Sequence, residues 1–375
     1  MNAFSKIDMA EVTRLTRAGK LTEAMALLRG GGATAPTPPA AKPRPDANFR
    51  PLNKGATLAG FKHMMAALRD RALPGLGESR APTPVARPEG ARFEERIFAN
   101  AAGSRSYKVY VPSGYTGQPL PVVTMLHGCT QNPDDFAAGT RMNELAEEQR
   151  FLVVYPHQPQ SANAQKCWNW FDAENQQREG GEASLIAGLV REVVEEFSAD
   201  ARRVYVAGLS AGGAAAAILA QTHPEVFAAV GVHSGLACGA AKDMPSAFAA
   251  MARGAPFVAK GAGAMVPTIV FHGDADRTVH PVNGEQVVAQ AKPKSALTEV
   301  EMRGETPDGM AYTRIVQLDA ASREVVEQWI LHGAGHAWSG GSLDGSFTDP
   351  RGPDASREMI RFFLQHGNER AKRGS

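Results

Sequence analysis

The sequence predicts an α/β fold, a mostly parallel sheet with helices on both of its faces, and three observations support this. From residue 90 to residue 367, strand-like segments alternate with helix-like ones. The strand-like segments are nearly continuous apolar runs, which is typical of parallel strands buried on both faces. The chain has 375 residues, of which 43% are hydrophobic, and this suffices for one large core with an appendage.

Strands and helices are predicted along this domain in a regular succession. The helices are expected at residues 181–197, along the alanine-rich run after VYVAGLS, and at residues 354–366. The strands, rich in β-branched and aromatic residues, are SYKVYVP, PVVTMLHG, FLVVYP, RRVYVAGLS, FAAVGVHSG, PTIVFHG and REVVEQWIL. No internal repeat is visible, so residues 90–367 are predicted to form one unit.

Different segments flank this domain. Residues 1–30 carry apolar side chains at helical spacing, which predicts a helical appendage that packs, contacts another copy or acts in targeting. Residues 31–89 are rich in proline, alanine and glycine and predict a largely disordered linker. Residues 368–375 are expected to be a disordered tail.

Bulk composition narrows the classes of partner and location. Lys plus Arg number 40 and Asp plus Glu number 39, so nothing indicates binding to nucleic acid or to a membrane surface. No apolar run approaches the roughly 18 residues that a membrane-spanning helix needs. The first residues contain no apolar signal-peptide core, and the spacing of Cys129, Cys167 and Cys238 is not typical of a disulfide framework or metal site. These features favour a reducing, cytoplasmic location, and the oligomeric state stays open.

The most informative motif is Gly-Leu-Ser-Ala-Gly at residues 208–212. It lies between a β-branched strand and an alanine-rich helix, which is the context of the nucleophile elbow of the α/β-hydrolase fold. This turn strains the serine backbone and raises its hydroxyl above the carboxyl ends of the strands, beside a helix N-terminus. Ser210 is therefore predicted to be a nucleophile. The alternative is a glycine-rich turn with an incidental serine.

A serine hydroxyl needs a histidine as its base, and the histidine needs an acidic side chain that orients it. In this fold the acid follows the serine in the chain, and the histidine follows the acid. Two aspartates follow the strand PTIVFHG. Asp276 is the predicted acid because it lies further past the strand end, where the loop is free to approach the base. Asp274 is the alternative, with turn formation as its ordinary role.

His336 is the predicted base. It alone among the ten histidines lies on a loop after the last strand, flanked by small residues that let an imidazole approach Ser210. Five other candidates lie at strand ends or in neighbouring loops, where structural roles are expected: His127, His233, His272, His280 and His332.

The loop after the first buried strand supplies one oxyanion donor in this architecture, and the residue after the nucleophile supplies the other. The backbone amides of Cys129 and Ala211 are the candidates. Gln131 is expected either to support this loop or to touch the substrate. Three tryptophans are candidates for the pocket wall, with core packing as the alternative: Trp168, Trp170 and Trp338.

Several motifs together resemble the poly(3-hydroxybutyrate) depolymerase family of esterases: LHGCTQN, CWNWF, VYVAGLSAGG, HSGLACGAA, FHGDADRTV and GAGHAWSGG. The resemblance implies an α/β-hydrolase domain that cleaves short-chain polyhydroxyalkanoates, with a triad at Ser210, Asp276 and His336. The family is related to feruloyl and acetyl-xylan esterases. Many of its members are secreted, whereas no leader is seen in this sequence.

The sequence thus predicts a serine esterase that acts on a carboxylic ester or polyester and needs neither a cofactor nor a metal. A feruloyl or acetyl-xylan type of esterase and a general carboxylesterase are the alternatives. A peptidase would share the triad. An inactive α/β-hydrolase-like binding protein is the alternative that is not an enzyme.

Overall fold

Alternating strands and helices build a ten-stranded sheet in the part of the chain that the computed structural model describes, residues 87–256, 265–293 and 295–373. The predicted appendage at residues 1–30 and nearly all of the predicted linker at residues 31–89 lie outside these ranges. The strands of this sheet are β1 Arg92–Asn100, β2 Gly103–Val111, β3 Val122–Leu126, β4 Leu152–Pro156, β5 Val204–Leu209, β6 Ala229–His233, β7 Thr268–Gly273, β8 Thr298–Glu305, β9 Ala311–Leu318 and β10 Glu324–Leu331.

The strand order places the carboxyl ends of the central strands side by side. The order is β1-β2-β4-β3-β5-β6-β7-β10-β9-β8. The pairs from β4 through β3, β5, β6 and β7 to β10 are parallel, whereas β1, β2, β8 and β9 pair in antiparallel fashion at the two sides. Loops that leave β3, β5, β7 and β10 therefore emerge at one edge of the sheet, where α/β proteins place their sites.

Helices cover both faces of the sheet, as the sequence predicts. Successive side chains of a strand point to opposite faces. In β5, Val206 packs in one core and Tyr205 in the other. The helices are α1 Pro133–Thr140, α2 Met142–Gln149, α3 Gly181–Glu196, α4 Ala211–Thr222, α5 Met244–Arg253, α6 Val282–Ala291 and α7 Ala355–Phe363. Residues of α3, α4 and α6 belong to the first core, and residues of α1, α2 and α7 to the second.

Smaller elements complete the described chain. Ala173–Gln176 forms a 3₁₀ helix before α3, and two short strands pair in parallel after β10, β11 Trp338–Ser339 and β12 Thr348–Asp349. No helix among the described residues is both long and apolar enough to span a bilayer.

The C-terminal segment packs on the domain beyond residue 367. Asn368 is buried, and its side-chain amide donates to the carbonyl oxygens of Pro224 and Phe227 at 3.0 and 3.4 Å. Residues Glu369–Arg373 form a 3₁₀ helix. The structure describes residues 368–373 of the segment predicted to be a disordered tail, and the rest of that segment lies outside the described residues.

Candidate active site

Ser210 occupies the sharp turn between β5 and α4. Its backbone has φ 58° and ψ −118°, a conformation that costs an L-residue on the order of 1–3 kcal/mol. Such strain is typical of functional positions. Glycine is required at position 212, since a β-carbon there would collide with the carbonyl oxygen of Leu126. The local sequence therefore forms the elbow that the motif predicts.

The acid and the base meet in a buried hydrogen bond. His336 Nδ1 lies 2.7 Å from Asp276 Oδ2, and the Asp276 side chain is fully buried. The other carboxylate oxygen accepts from the backbone amides of Thr278 and Val279 at 2.8 and 2.9 Å. Three donors thus hold this carboxylate. With Nδ1 donating to Asp276, the Nε2 atom of His336 is the nitrogen left to accept a proton.

Electrostatics keep Asp276 ionised. Burial alone raises its pKa, but the charge and the hydrogen bond of His336 outweigh burial and hold that pKa below its usual value. An ionised carboxylate beside the imidazole stabilises the imidazolium that forms when the base takes a proton.

A second histidine, His233, joins the elbow to the loop that carries the base. The carbonyl oxygen of His233 accepts from the Ser210 amide at 2.9 Å. Its Nε2 accepts from the Ser339 amide at 3.0 Å. Burial lowers the His233 pKa to about 3, so the ring is neutral and its role is structural. His233 thereby links the two loops that must bring Ser210 and His336 together.

The serine hydroxyl itself makes no hydrogen bond within the described residues of this structure. Ser210 and His336 leave β5 and β10, which are separated by β6 and β7 at the same edge of the sheet. Hydrogen bonds of catalytic groups are often long in a free enzyme and tighten in the substrate complex.

Asp274, the alternative acid, points to a different histidine. Its carboxylate accepts from the amide of Gly333 at 2.7 Å and lies 2.8 Å from His332 Nδ1. Its backbone amide donates to Leu331. Asp274 therefore joins the loop after β7 to the loop after β10.

The two oxyanion candidates lie on segments in close contact. Ala211 is the first residue of α4, where the amide has no acceptor within the helix. The amide of Cys129 has no acceptor among the described residues. Gly212 packs against the carbonyl oxygens of Leu126 and His127, which brings the end of β3 to the N-terminus of α4.

Cys129 is bonded to Cys167 in a disulfide, and Cys238 is the free cysteine. The expectation that the cysteines form no such framework is wrong for this pair. The argument for a reducing compartment loses that support, because structural disulfides are typical of oxidising compartments. The two cysteines follow β3 and β4, which the sheet order places side by side, so their carboxyl ends share one edge.

All three tryptophans lie in the core, the alternative that the sequence left open. The Trp168 indole donates to the carbonyl oxygen of His127 at 3.1 Å, and the Trp338 indole donates to Ser356 Oγ at 3.0 Å. The side chains of Trp168 and Trp338 are at most 1% exposed, so they pack beneath the site and do not line an open pocket. Trp170 packs on Phe171 with ring centroids 5.9 Å apart.

Gln131 supports the loop rather than facing open space. It is 2% exposed, and its side-chain oxygen accepts from the Gly128 amide at 2.9 Å. Its partners on the other side, Asp135 and Ser346, are absent from the sequence-based list of site residues. Neither residue lies within one of the recognisable motifs, and no spacing identifies them.

Comparisons with known proteins agree with this architecture. The Esterase PHB depolymerase family matches residues 105–300. The chain is similar to poly(3-hydroxyalkanoate) depolymerase C of Paucimonas lemoignei, with 32% identity over 251 residues, 64% of this chain and 60% of that protein. It is also similar to feruloyl esterase B of Neurospora crassa, with 33% identity over 201 residues, 49% of this chain and 67% of that protein.

A solved structure extends the likeness in fold. The acetyl xylan esterase from Aspergillus awamori superposes with a TM-score of 0.55 at 21% identity and covers 70% of this chain and 94% of that chain. The sheet, the helices on its two faces and the elbow after β5 are those of an α/β-hydrolase.

Proposed function

Because this chain belongs to the Esterase PHB depolymerase family, we propose that it is a serine esterase that cleaves carboxylic esters with Ser210, His336 and Asp276. The observation that carries the proposal is the buried 2.7 Å hydrogen bond between His336 and Asp276, on loops beside a strained serine. An imidazole oriented by a buried carboxylate is the activating device that a serine nucleophile requires.

The reaction is an acyl transfer in two steps. His336 Nε2 takes the hydroxyl proton as Ser210 Oγ bonds to the ester carbonyl carbon, and the electron pair of the carbonyl moves to its oxygen. The oxyanion collapses, the alcohol leaves with the proton from His336, and an acyl-enzyme remains. Water then attacks the acyl carbon by the same route and releases the acid. Asp276 keeps the imidazole in the required tautomer throughout.

The amides of Cys129 and Ala211 would bind the oxyanion. Each donor in such a hole contributes about 10²–10³-fold to kcat in enzymes where it has been removed. Their value comes from being held in place before the reaction, so that no reorganisation is needed when charge develops.

We propose poly(3-hydroxybutyrate) or its short oligomers as the substrate. The similarity to a poly(3-hydroxyalkanoate) depolymerase over 251 residues supports this class. A carbohydrate esterase is the second candidate, because a feruloyl esterase is 33% identical over 201 residues.

A substrate panel tests both. We expect faster release of acid from 3-hydroxybutyrate oligomers than from feruloyl esters, acetylated xylan or peptides, measured as kcat/KM. Faster release of acid from feruloyl esters than from 3-hydroxybutyrate oligomers would favour the carbohydrate esterase. Cleavage of peptides alone would contradict an esterase.

A labelling experiment tests the nucleophile. A fluorophosphonate probe should label the wild-type chain at Ser210 and leave Ser210→Ala unlabelled. Ser322→Ala is the matched control, since Ser322 is an exposed serine that also has a positive φ, 59°. Unchanged labelling of Ser210→Ala would contradict the proposed nucleophile.

A further inference from the structure

The side chain of Gln131 is buried beside the candidate oxyanion hole, and both ends of its amide are engaged. Oε1 accepts from the amide of Gly128 at 2.9 Å. Nε2 donates to Asp135 Oδ2 at 2.9 Å and to the carbonyl oxygen of Ser346 at 3.0 Å. Gln131 therefore joins the loop after β3 to the loop between β11 and β12, which are 215 residues apart in sequence.

Asp135 determines which way the Gln131 amide points. Its Oδ1 accepts from the Ser346 amide at 2.9 Å, and its Oδ2 accepts from the Ser346 hydroxyl at 2.6 Å. Carboxylate and carbonyl oxygens accept hydrogen bonds, so the NH₂ end of Gln131 faces Asp135 and the carbonyl oxygen of Ser346. The oxygen of Gln131 is thereby directed at the Gly128 amide.

The oxyanion loop, residues 128–130, has three successive backbone amides, of which the first and the third have acceptors within the protein. The first, of Gly128, is held by Gln131. The third, of Thr130, donates to the carbonyl oxygen of Gln165 at 2.6 Å, and Thr130 has a positive φ of 67°. The middle amide, of Cys129, has no acceptor among the described residues. Both neighbouring amides are therefore fixed, and the middle amide is the one of the three without an acceptor among the described residues.

We infer that Gln131, oriented by Asp135, is a positioning residue that holds the Cys129 amide in the geometry needed to bind the oxyanion. The inference rests on the proposed esterase function of the same site. Gln131 does not touch the reacting atoms. It acts through the Gly128 amide, and without it the loop can rotate and lose the alignment on which preorganised stabilisation depends.

Gln131→Met tests this, because methionine has a similar length and makes neither hydrogen bond. We expect kcat to fall about 10–100-fold, less than the complete loss of an oxyanion donor, with KM changed less than about threefold. A trifluoromethyl ketone that forms a hemiketal with Ser210 places an oxyanion in the hole. Its affinity should fall by the same factor as kcat/KM, whereas the affinity for the neutral ester methyl 3-hydroxybutyrate, measured in a Ser210→Ala background where it carries no oxyanion, should not change.

Two further variants separate positioning from general destabilisation. Asp135→Asn should weaken trifluoromethyl ketone binding in the same direction by a smaller factor, since it only loosens the orientation of Gln131. Gln317→Met is the matched control, because Gln317 is a buried glutamine on β9, away from the site, and donates to Glu299. It should leave kcat and ketone affinity unchanged.

Hydrogen exchange gives a readout that needs no turnover. The Gly128 amide should exchange faster in Gln131→Met than in the wild type. An unchanged exchange rate, or affinities for the ketone and the neutral ester that fall together, would overturn the role of Gln131. A wild-type chain that hydrolyses none of the esters would contradict the proposed function, and the exchange experiment would still decide whether Gln131 holds the loop.

Discussion

The loops after β7 and β10 are joined by two aspartate–histidine pairs of nearly equal length, 2.7 Å for Asp276–His336 and 2.8 Å for Asp274–His332. Their surroundings differ. The Asp276 side chain is fully buried and that of His336 is 12% exposed, whereas both side chains of the other pair are 42% exposed.

This difference shows that a short distance does not by itself identify a catalytic pair. Asp276 is shielded from water, and backbone amides and His336 together hold its carboxylate. Water competes for Asp274 and His332, and solvent screens their attraction. In the proposed mechanism the buried pair orients the imidazole of His336, whereas Asp274–His332 joins the two loops at the surface.

Replacing the buried acid should have the largest effect. Asp276→Asn should lower kcat by about 10⁴-fold, because an amide cannot hold the required tautomer or stabilise the imidazolium. Hydrolysis of a soluble ester gives the measurement. The matched control, Asp274→Asn, should change kcat less than about tenfold. If Asp274→Asn lost activity and Asp276→Asn kept it, the two assignments would be reversed.

Asp276 should also couple stability to pH. The pKa of Asp276 is lowered in the folded chain, so its carboxylate contributes stability above the ordinary aspartate pKa of about 3.9. That contribution disappears as the pH falls through the lower folded value. The stability advantage of wild type over Asp276→Asn, from urea unfolding, should therefore shrink on acidification below about pH 4. A difference that stays constant with pH would contradict this.

Coupling within the exposed pair should be small. A double-mutant cycle of Asp274→Asn and His332→Gln should give about 0.2–1 kcal/mol, the range of solvent-exposed ion pairs. Urea unfolding of the wild type, both single variants and the double variant provides the cycle. A coupling of several kcal/mol would show that the surface pair resembles the buried one after all.

Salt should produce the smallest change and still distinguish the pairs. In 1 M NaCl the screening length is about 3 Å, so the coupling of Asp274 to His332 should decrease. The ester hydrolysis that depends on Asp276 and His336 should respond little for a neutral substrate, because buried charges are weakly screened. If salt reduced both the Asp274–His332 coupling and the rate of ester hydrolysis, Asp276 would have to be in contact with solvent.

Much of the fold could be predicted because its signals are local. The central strands are continuous apolar runs, and the elbow needs only a strand, a glycine-flanked serine and a helix in succession. The β8–β9 hairpin was not predicted. Most of β8 is exposed, from Thr298 to Arg303, so that strand has no apolar pattern to reveal it.

The choice of Asp276 over Asp274 came from the distance past the strand end, and the structure supplies the physical reason. Asp276 lies two residues beyond Asp274 and is buried, and its carboxylate accepts from the amides of Thr278 and Val279. Trp168 and Trp338 could not be placed from sequence, since an aromatic side chain suits a core and a cleft equally well.

By itself, the sequence predicted a mostly parallel sheet and the turn between strand and helix at Ser210, because the apolar strands and this turn are encoded by short local runs of residues. Only the tertiary structure decided the Cys129–Cys167 disulfide and the Gln131–Ser346 contact, which join residues 38 and 215 positions apart. Such contacts are set by which strand ends lie side by side in the sheet. That arrangement depends on the packing of the whole domain, and no local pattern of residues encodes it.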